Sequence, residues 1–143
     1  MPYTVHIDPE VNCAFVRLTG KVNFKELDES TSEIIKHPSY RDGMNILRDA
    51  REQIVPKELS FKDMSVEAGR QMKRHDLILG KCRWAVLVSD ANAYAKVHQF
   101  IVTGRLQNHT VERKPFRDIM KALAWLGLPE GYEIEYPETG EAT

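Results

Sequence analysis

Two kinds of block alternate along the chain: in one, apolar residues recur every second position, and in the other every third or fourth. Tyr3, Val5 and Ile7 share one face of an opening strand. Asp8-Pro9-Glu10-Val11-Asn12 supplies turn residues, and Cys13 to Leu18 a second strand closed by Thr19-Gly20, so the pair reads as an antiparallel hairpin. Asn23 is placed to cap a helix from Phe24 to about Lys36. Glu26, Asp28 and Glu29 suit the positive end of its dipole, and Phe24, Leu27, Thr31 and Ile34-Ile35 form its inner stripe. His37-Pro38 stops it.

The alternation continues. Met44 to Leu47 is a strand-sized apolar run leading into Arg48-Asp49-Ala50-Arg51. After a loop holding Pro56, Ser60 with Asp63 resembles a capping box and opens a helix to about His75, with Phe61, Met64, Ala68 and Met72 inward. Arg83 to Val88 is the central strand by composition. Ser89 or Asp90 caps a helix from Ala91 to about Leu106, with Tyr94, Val97 and Ile101 inward. Asn108 to Lys114 reads as a short edge strand and Phe116 to Leu126 as a last helix, ended by Gly127 and Pro129. The order β-β-α-β-α-β-α-β-α predicts an α/β fold with a mixed, mostly parallel sheet of about five strands and four helices, because each parallel crossover must return over a face. Residues 1–128 read as one domain, and residues 129–143 as an acidic, loosely held tail.

Composition narrows the function classes. With 143 residues, 42% hydrophobic and 29% charged, the chain is long enough for one core without disulfide or metal staples. Twenty basic residues against 21 acidic leave a net charge of -1, so no global field recruits nucleic acid, and the densest basic run, Lys73-Arg74-His75, spans one helical turn. Cys13 and Cys82 form no C-x-x-C pair and sit in strands as small apolar residues, which predicts a reducing, cytoplasmic setting. No apolar run approaches the roughly 18 residues that cross a bilayer.

Candidate chemistry is sparse. Asp49 and Arg51 end one strand, while Ser89, Asp90 and Asn92 follow the next. Ligands of open α/β sheets bind outside the carboxyl ends of strands near a reversal of strand order, so these five are candidate binding residues for a small polar or anionic ligand. The competing structural roles are a loop tie for Asp49 and a helix cap for Asp90. Ser60 is a sixth candidate: as a phosphoacceptor it would place a dianion on a helix N-terminus, against its plain role as N-cap. The five histidines form no metal-ligand spacing, and no G-x-S-x-G, Walker loop or G-x-G-x-x-G occurs, so neither a metal nor a cofactor is expected.

Five pieces in this order carry a likeness to a known family. They are Leu18-Thr19-Gly20; His37-Pro38-Ser39-Tyr40 with Gly43; Asp49-Ala50-Arg51; Arg83-Trp84-Ala85-Val86; and Phe116-Arg117-Asp118 through Ala122-Leu123-Ala124-Trp125-Leu126. From Val5 to about Gly127 the chain resembles the SpoIIAA-like (STAS) proteins, in particular their uncharacterised bacterial branch. The resemblance implies βα units on a mixed sheet, shared in outline with CRAL-TRIO lipid-binding domains. The best understood STAS members are phosphorylation-controlled partners of anti-sigma kinases, with a Ser in an Asp-Ser-Ser-Gly turn at the second helix. Here Glu58-Leu59-Ser60-Phe61-Lys62 stands in that place without the motif.

The expected function is a non-enzymatic regulatory or binding module acting through a protein partner or a small ligand, with contact around the Ser60 and Asp90 helix starts. A homodimer through an edge strand or helix face is compatible with the pattern. One alternative is a carrier of a small hydrophobic ligand or lipid, with a pocket lined by Met64, Met72, Tyr94 and Phe100. The short chain leaves little volume for a lipid tail. The other alternative is a small enzyme using His98, Asp49 or Asp90 as acid–base groups, which requires those groups to converge.

Overall fold

The computed structural model describes residues 3–56, 58–105 and 110–137. Its elements run β1 (Tyr3–Asp8), a 3-10 turn (Pro9–Val11), β2 (Cys13–Lys21), α1 (Phe24–Lys36), β3 (Asn45–Ile54), α2 (Phe61–Leu79), β4 (Cys82–Leu87), α3 (Ala91–Arg105), β5 (Val111–Phe116) and α4 (Ile119–Trp125). This is the expected mixed α/β order. The opening hairpin pairs Tyr3 with Leu18 through Asp8 with Cys13. It turns on Asn12, which takes the left-handed φ of 53° that Asn tolerates.

The strands lie in sequence order, β1-β2-β3-β4-β5, antiparallel only between β1 and β2. Each parallel crossover therefore advances one strand in the same direction. Right-handed connections then put α1, α2 and α3 on one face, where α1 touches α2 and α2 touches α3. No reversal of strand order occurs, so the crevice expected beyond Asp49 and Asp90 is not built that way. A cleft of that kind needs helices leaving neighbouring strands toward opposite faces.

Strand alternation feeds two cores. On the helix-layer face, Ala14, Val16 and Leu18 of β2 meet Ile46, Trp84, Leu27 and Ile34. On the back face, Cys13 and Phe15 meet Leu47, Ala85, Leu87 and Phe116 beneath Ala122 and Leu123 of α4 and the Leu126 that caps it. With Cys13–Val16 all buried, β2 reads as a continuous apolar run because both its faces are covered.

Caps and ends follow local chemistry. Asn23 accepts from the Glu26 amide (3.1 Å), and Ser60 from the Asp63 amide (3.1 Å). α2 runs a turn past His75 because Asp76 and Leu79 are buried, and Gly80 at φ 69° releases the chain. α4 begins at Ile119 rather than Phe116. Phe116 completes β5 opposite Leu87, and Asp118 accepts from the Met120 amide (2.8 Å). The edge strand expected over residues 108–114 lies at Val111–Phe116, and residues 106–109 are outside the described set. β3 extends well beyond Leu47, with a register slip opposite Arg17–Thr19 that bends the sheet near Asp49.

In the segment read as an acidic tail, Tyr132, Ile134 and Tyr136 alternate and pack on the back core. The Tyr132 hydroxyl donates to Asp8 Oδ2 at 2.6 Å, 124 residues away in sequence. Residues 138–143 lie outside the described set. No helix among the described residues is long and apolar enough to cross a membrane.

Candidate functional site

Between the helix layer and the sheet lies a cavity of about 130 Å³. Leu27 and Phe24 line it from α1; Met64, Ala68 and Met72 from α2; Val97, Phe100 and Ile101 from α3. Its floor is Val86 and Trp84 of β4 with Arg48 of β3 and Arg113 of β5. The three α2 residues are spaced one turn apart, which is why a single helix face supplies a whole wall. A cavity of this size in apolar surroundings accommodates roughly one benzene-sized molecule.

The floor is where the charge lies. Within β3, Ile46, Arg48 and Ala50 share the inward phase, so the alternation that buries Ile46 also aims Arg48 at the helices. One Arg48 terminal nitrogen donates to Thr31 Oγ1 (3.0 Å), and the guanidinium lies 4.8 Å from the centre of the Trp84 ring. Arg113 flanks the same indole at 4.7 Å. The two arginines differ in compensation. Arg113 is held by Asp76 through two short bonds, 2.8 and 2.7 Å, with both side chains buried. Among the described residues no carboxylate pairs with Arg48.

Arg48 Nε is buried without a hydrogen-bond partner among the described residues, and so is Trp84 Nε1. Arg48 is half-buried and lines the cavity. Burial, and then the nearby charge of Arg113, lower the Arg48 pKa to about 9, so it still carries its proton at neutral pH.

His75 completes the polar rim. Its Nε2 lies 2.6 Å from Asp28 Oδ1, which also accepts from Arg74. Burial lowers the His75 pKa and outweighs the opposing pull of Asp28, with Arg74 and Arg48 adding to the depression. At Asp28, burial pushes upward, but the hydrogen bonds from His75 and Arg74 prevail and hold its pKa down. A neutral His75 donating to an ionised Asp28 satisfies both shifts.

None of the six candidate residues from the sequence lines this cavity among the described residues. Asp49 and Arg51 point to the back face, where Asp49 is 2% exposed and grips Arg51 by bonds of 3.0 and 2.8 Å. They border an open groove of about 690 Å³ beside Met120, Tyr132 and Tyr136. Its lining is more polar, and the Asp49 carboxylate is already occupied. Ser60 is exposed and acts as the N-cap of α2; Asp90 caps α3 by accepting from the Ala93 amide (2.8 Å). Ser89 and Asn92 are exposed beside it. The structure joins Asp49 with Arg51 and leaves the other four at helix starts. Asp49, Asp90 and His98 do not converge: His98 is exposed on α3, stacked on Tyr94 at 6.0 Å.

Met64, Met72 and Phe100 do line the cavity, whereas Tyr94 does not. Arg48 is not among the candidates that the sequence pattern offers. Its signal was a charged residue standing in the apolar phase of a strand.

Among the described residues no cluster of three or more His, Cys, Asp or Glu could hold a metal. Cys13 and Cys82 are free and buried.

A five-stranded mixed sheet in sequence order, with three helices on one face and a fourth behind, defines a SpoIIAA-like fold. A solved structure similar to this chain is an uncharacterised DUF3478-family protein with a SpoIIAA-like fold from Shewanella loihica PV-4. The match has a TM-score of 0.55 and 16% identity, covering 87% of this chain and 93% of that one. No family model matches the chain, and no curated protein does.

Proposed function

We propose that this protein is a non-enzymatic binding module that takes one small, largely apolar ligand between its helix layer and its sheet. The observation that carries this reading is the cavity of about 130 Å³ walled by Met64, Met72, Val97 and Phe100. Methionines suit such a wall because their unbranched side chains reshape around a guest. The volume suits a ring or a short chain and falls well short of a lipid tail. The helix starts at Ser60 and Asp90 are weaker contact points, since their oxygens already bond amides of their own helices. Two free, buried thiols support placing the protein in the reducing interior of a cell.

The test is an NMR titration with neutral ring-sized probes such as toluene and indole, reading the Met64 and Met72 methyl signals. Saturable shifts are expected in the parent protein. They should vanish in Ala68→Phe, whose new ring occupies the same space, while the circular dichroism spectrum is retained. Methyl signals unmoved by every probe would remove the basis of this reading.

A further inference from the structure

We propose that the ligand of this cavity is a monoanion, its head held by Arg48 at the Trp84 end and its apolar body lying against Met64, Met72 and Phe100. The inference rests on the reading of the cavity as a ligand site and adds the chemical class of what enters it.

Charge balance is the first argument. The ionisable side chains facing the cavity are Arg48, Arg113 and His75. Asp76 answers Arg113, and Asp28 answers His75 and Arg74. Arg48 alone has no carboxylate among the described residues, so the chamber carries one net positive charge. A buried cation left without a counter-ion is unfavourable, and a bound anion is the direct way to compensate it. One surplus charge calls for a single negative charge.

Hydrogen bonding points the same way. Two of the cavity-lining residues, Arg48 and Trp84, each hold a buried donor, Nε and Nε1, without an acceptor among the described residues. An acceptor-only head group is what such a pair lacks, and charge-assisted bonds to guanidinium are among the stronger ones available. Thr31 occupies one terminal nitrogen and fixes the guanidinium in place, so little ordering remains to be done on binding. The opposite walls contribute methyl, thioether and aromatic surface. The complement of the whole chamber is an amphipathic monocarboxylate of ring or short-chain size.

Matched probes on the full chain test this: benzoate against benzamide, and hexanoate against hexanamide, by isothermal titration at pH 7.5. The anion of each pair should bind at least about tenfold more tightly. In Arg48→Met that preference should disappear while the amide still binds. Because that variant also changes packing, the parent protein supplies a second measurement: the Arg48 Nε–H resonance should move on adding benzoate and stay in place with benzamide. Amides binding as tightly as carboxylates, or an unmoved Nε–H signal at saturating benzoate, would overturn the anion inference and leave the binding module standing. Binding of neither member to the parent or to Arg48→Met would overturn both.

Discussion

Replacing Arg48 by methionine is expected to make the unliganded protein more stable, although it removes a hydrogen bond and an aromatic contact. A guanidinium whose pKa is lowered to about 9 opposes folding at neutral pH, where the charged form is the one present. Because the residue keeps some accessible surface, that opposition is on the order of 3–4 kcal/mol. Two favourable interactions offset it: the stacking on Trp84, about 1 kcal/mol, and the bond to Thr31, also about 1 kcal/mol. Methionine is of similar length and fills the space with apolar atoms, and Thr31 keeps its own bond to the Leu27 carbonyl at 3.0 Å. The net gain is about 1–2 kcal/mol, a rise in melting temperature of roughly 3–6 °C. Urea unfolding at pH 7 provides the assay: the midpoint should rise with the slope unchanged. A midpoint lower by more than the experimental error would refute the reasoning. Arg48 would then be a net structural asset, and the charge imbalance behind the anion inference would be an illusion of the contact geometry. A rise, together with lost carboxylate binding, would mark Arg48 as a residue kept for binding at the expense of stability.

Other perturbations bear on the same chamber. Asp76→Asn leaves Arg113 buried without its bidentate partner and should destabilise the fold by about 3–5 kcal/mol in urea, whereas the paired change Asp76→Leu with Arg113→Met should recover most of that loss. Ser60→Ala should cost about 1 kcal/mol by freeing the Asp63 amide, and Ser60→Asp should preserve the cap; equal loss in both would rule out the capping role. Stability should also fall with acid. Unfolded His75 takes a proton near pH 6.5, before the folded one does, so destabilisation begins as pH drops through that value. The contribution of Asp28, whose folded pKa is depressed, is fully present above its unfolded pKa and is lost as pH falls further, through the folded one. Urea midpoints at pH 7, 6 and 5 should decline in the parent and decline less from pH 7 to 6 in His75→Phe.

The architecture was legible because its cues are local. Period-two alternation in Tyr3–Ile7, the strand-length apolar run at Cys13–Val16, helical spacing in Leu27–Ile34 and Met64–Met72, and side-chain oxygens at Asn23, Ser60 and Asp90 each act within a few residues of chain. The boundaries that shifted were those set by distant partners. Phe116 joined a strand because Leu87 lies beside it, and α2 lengthened because Asp76 reaches Arg113 on β5. The walls of the chamber were partly readable too, in Met64, Met72 and Phe100, since an inward helical face is visible in spacing alone.

Which charges balance and which do not was decided only by the tertiary structure. Arg48-Asp49-Ala50-Arg51 looks in sequence like one polar strand end, with an acid ready for either arginine. The pleat sends Asp49 and Arg51 to the back face and Arg48 alone into the helix side, so the nearest carboxylate in the chain is on the wrong side of the sheet. The residue that compensates Arg113 comes from 37 positions away, and Trp84 meets both guanidiniums only because β4 lies between β3 and β5. Periodicity depends on neighbours along the backbone. Charge compensation inside a core depends on neighbours in space, and these exist only once the strands have taken their order.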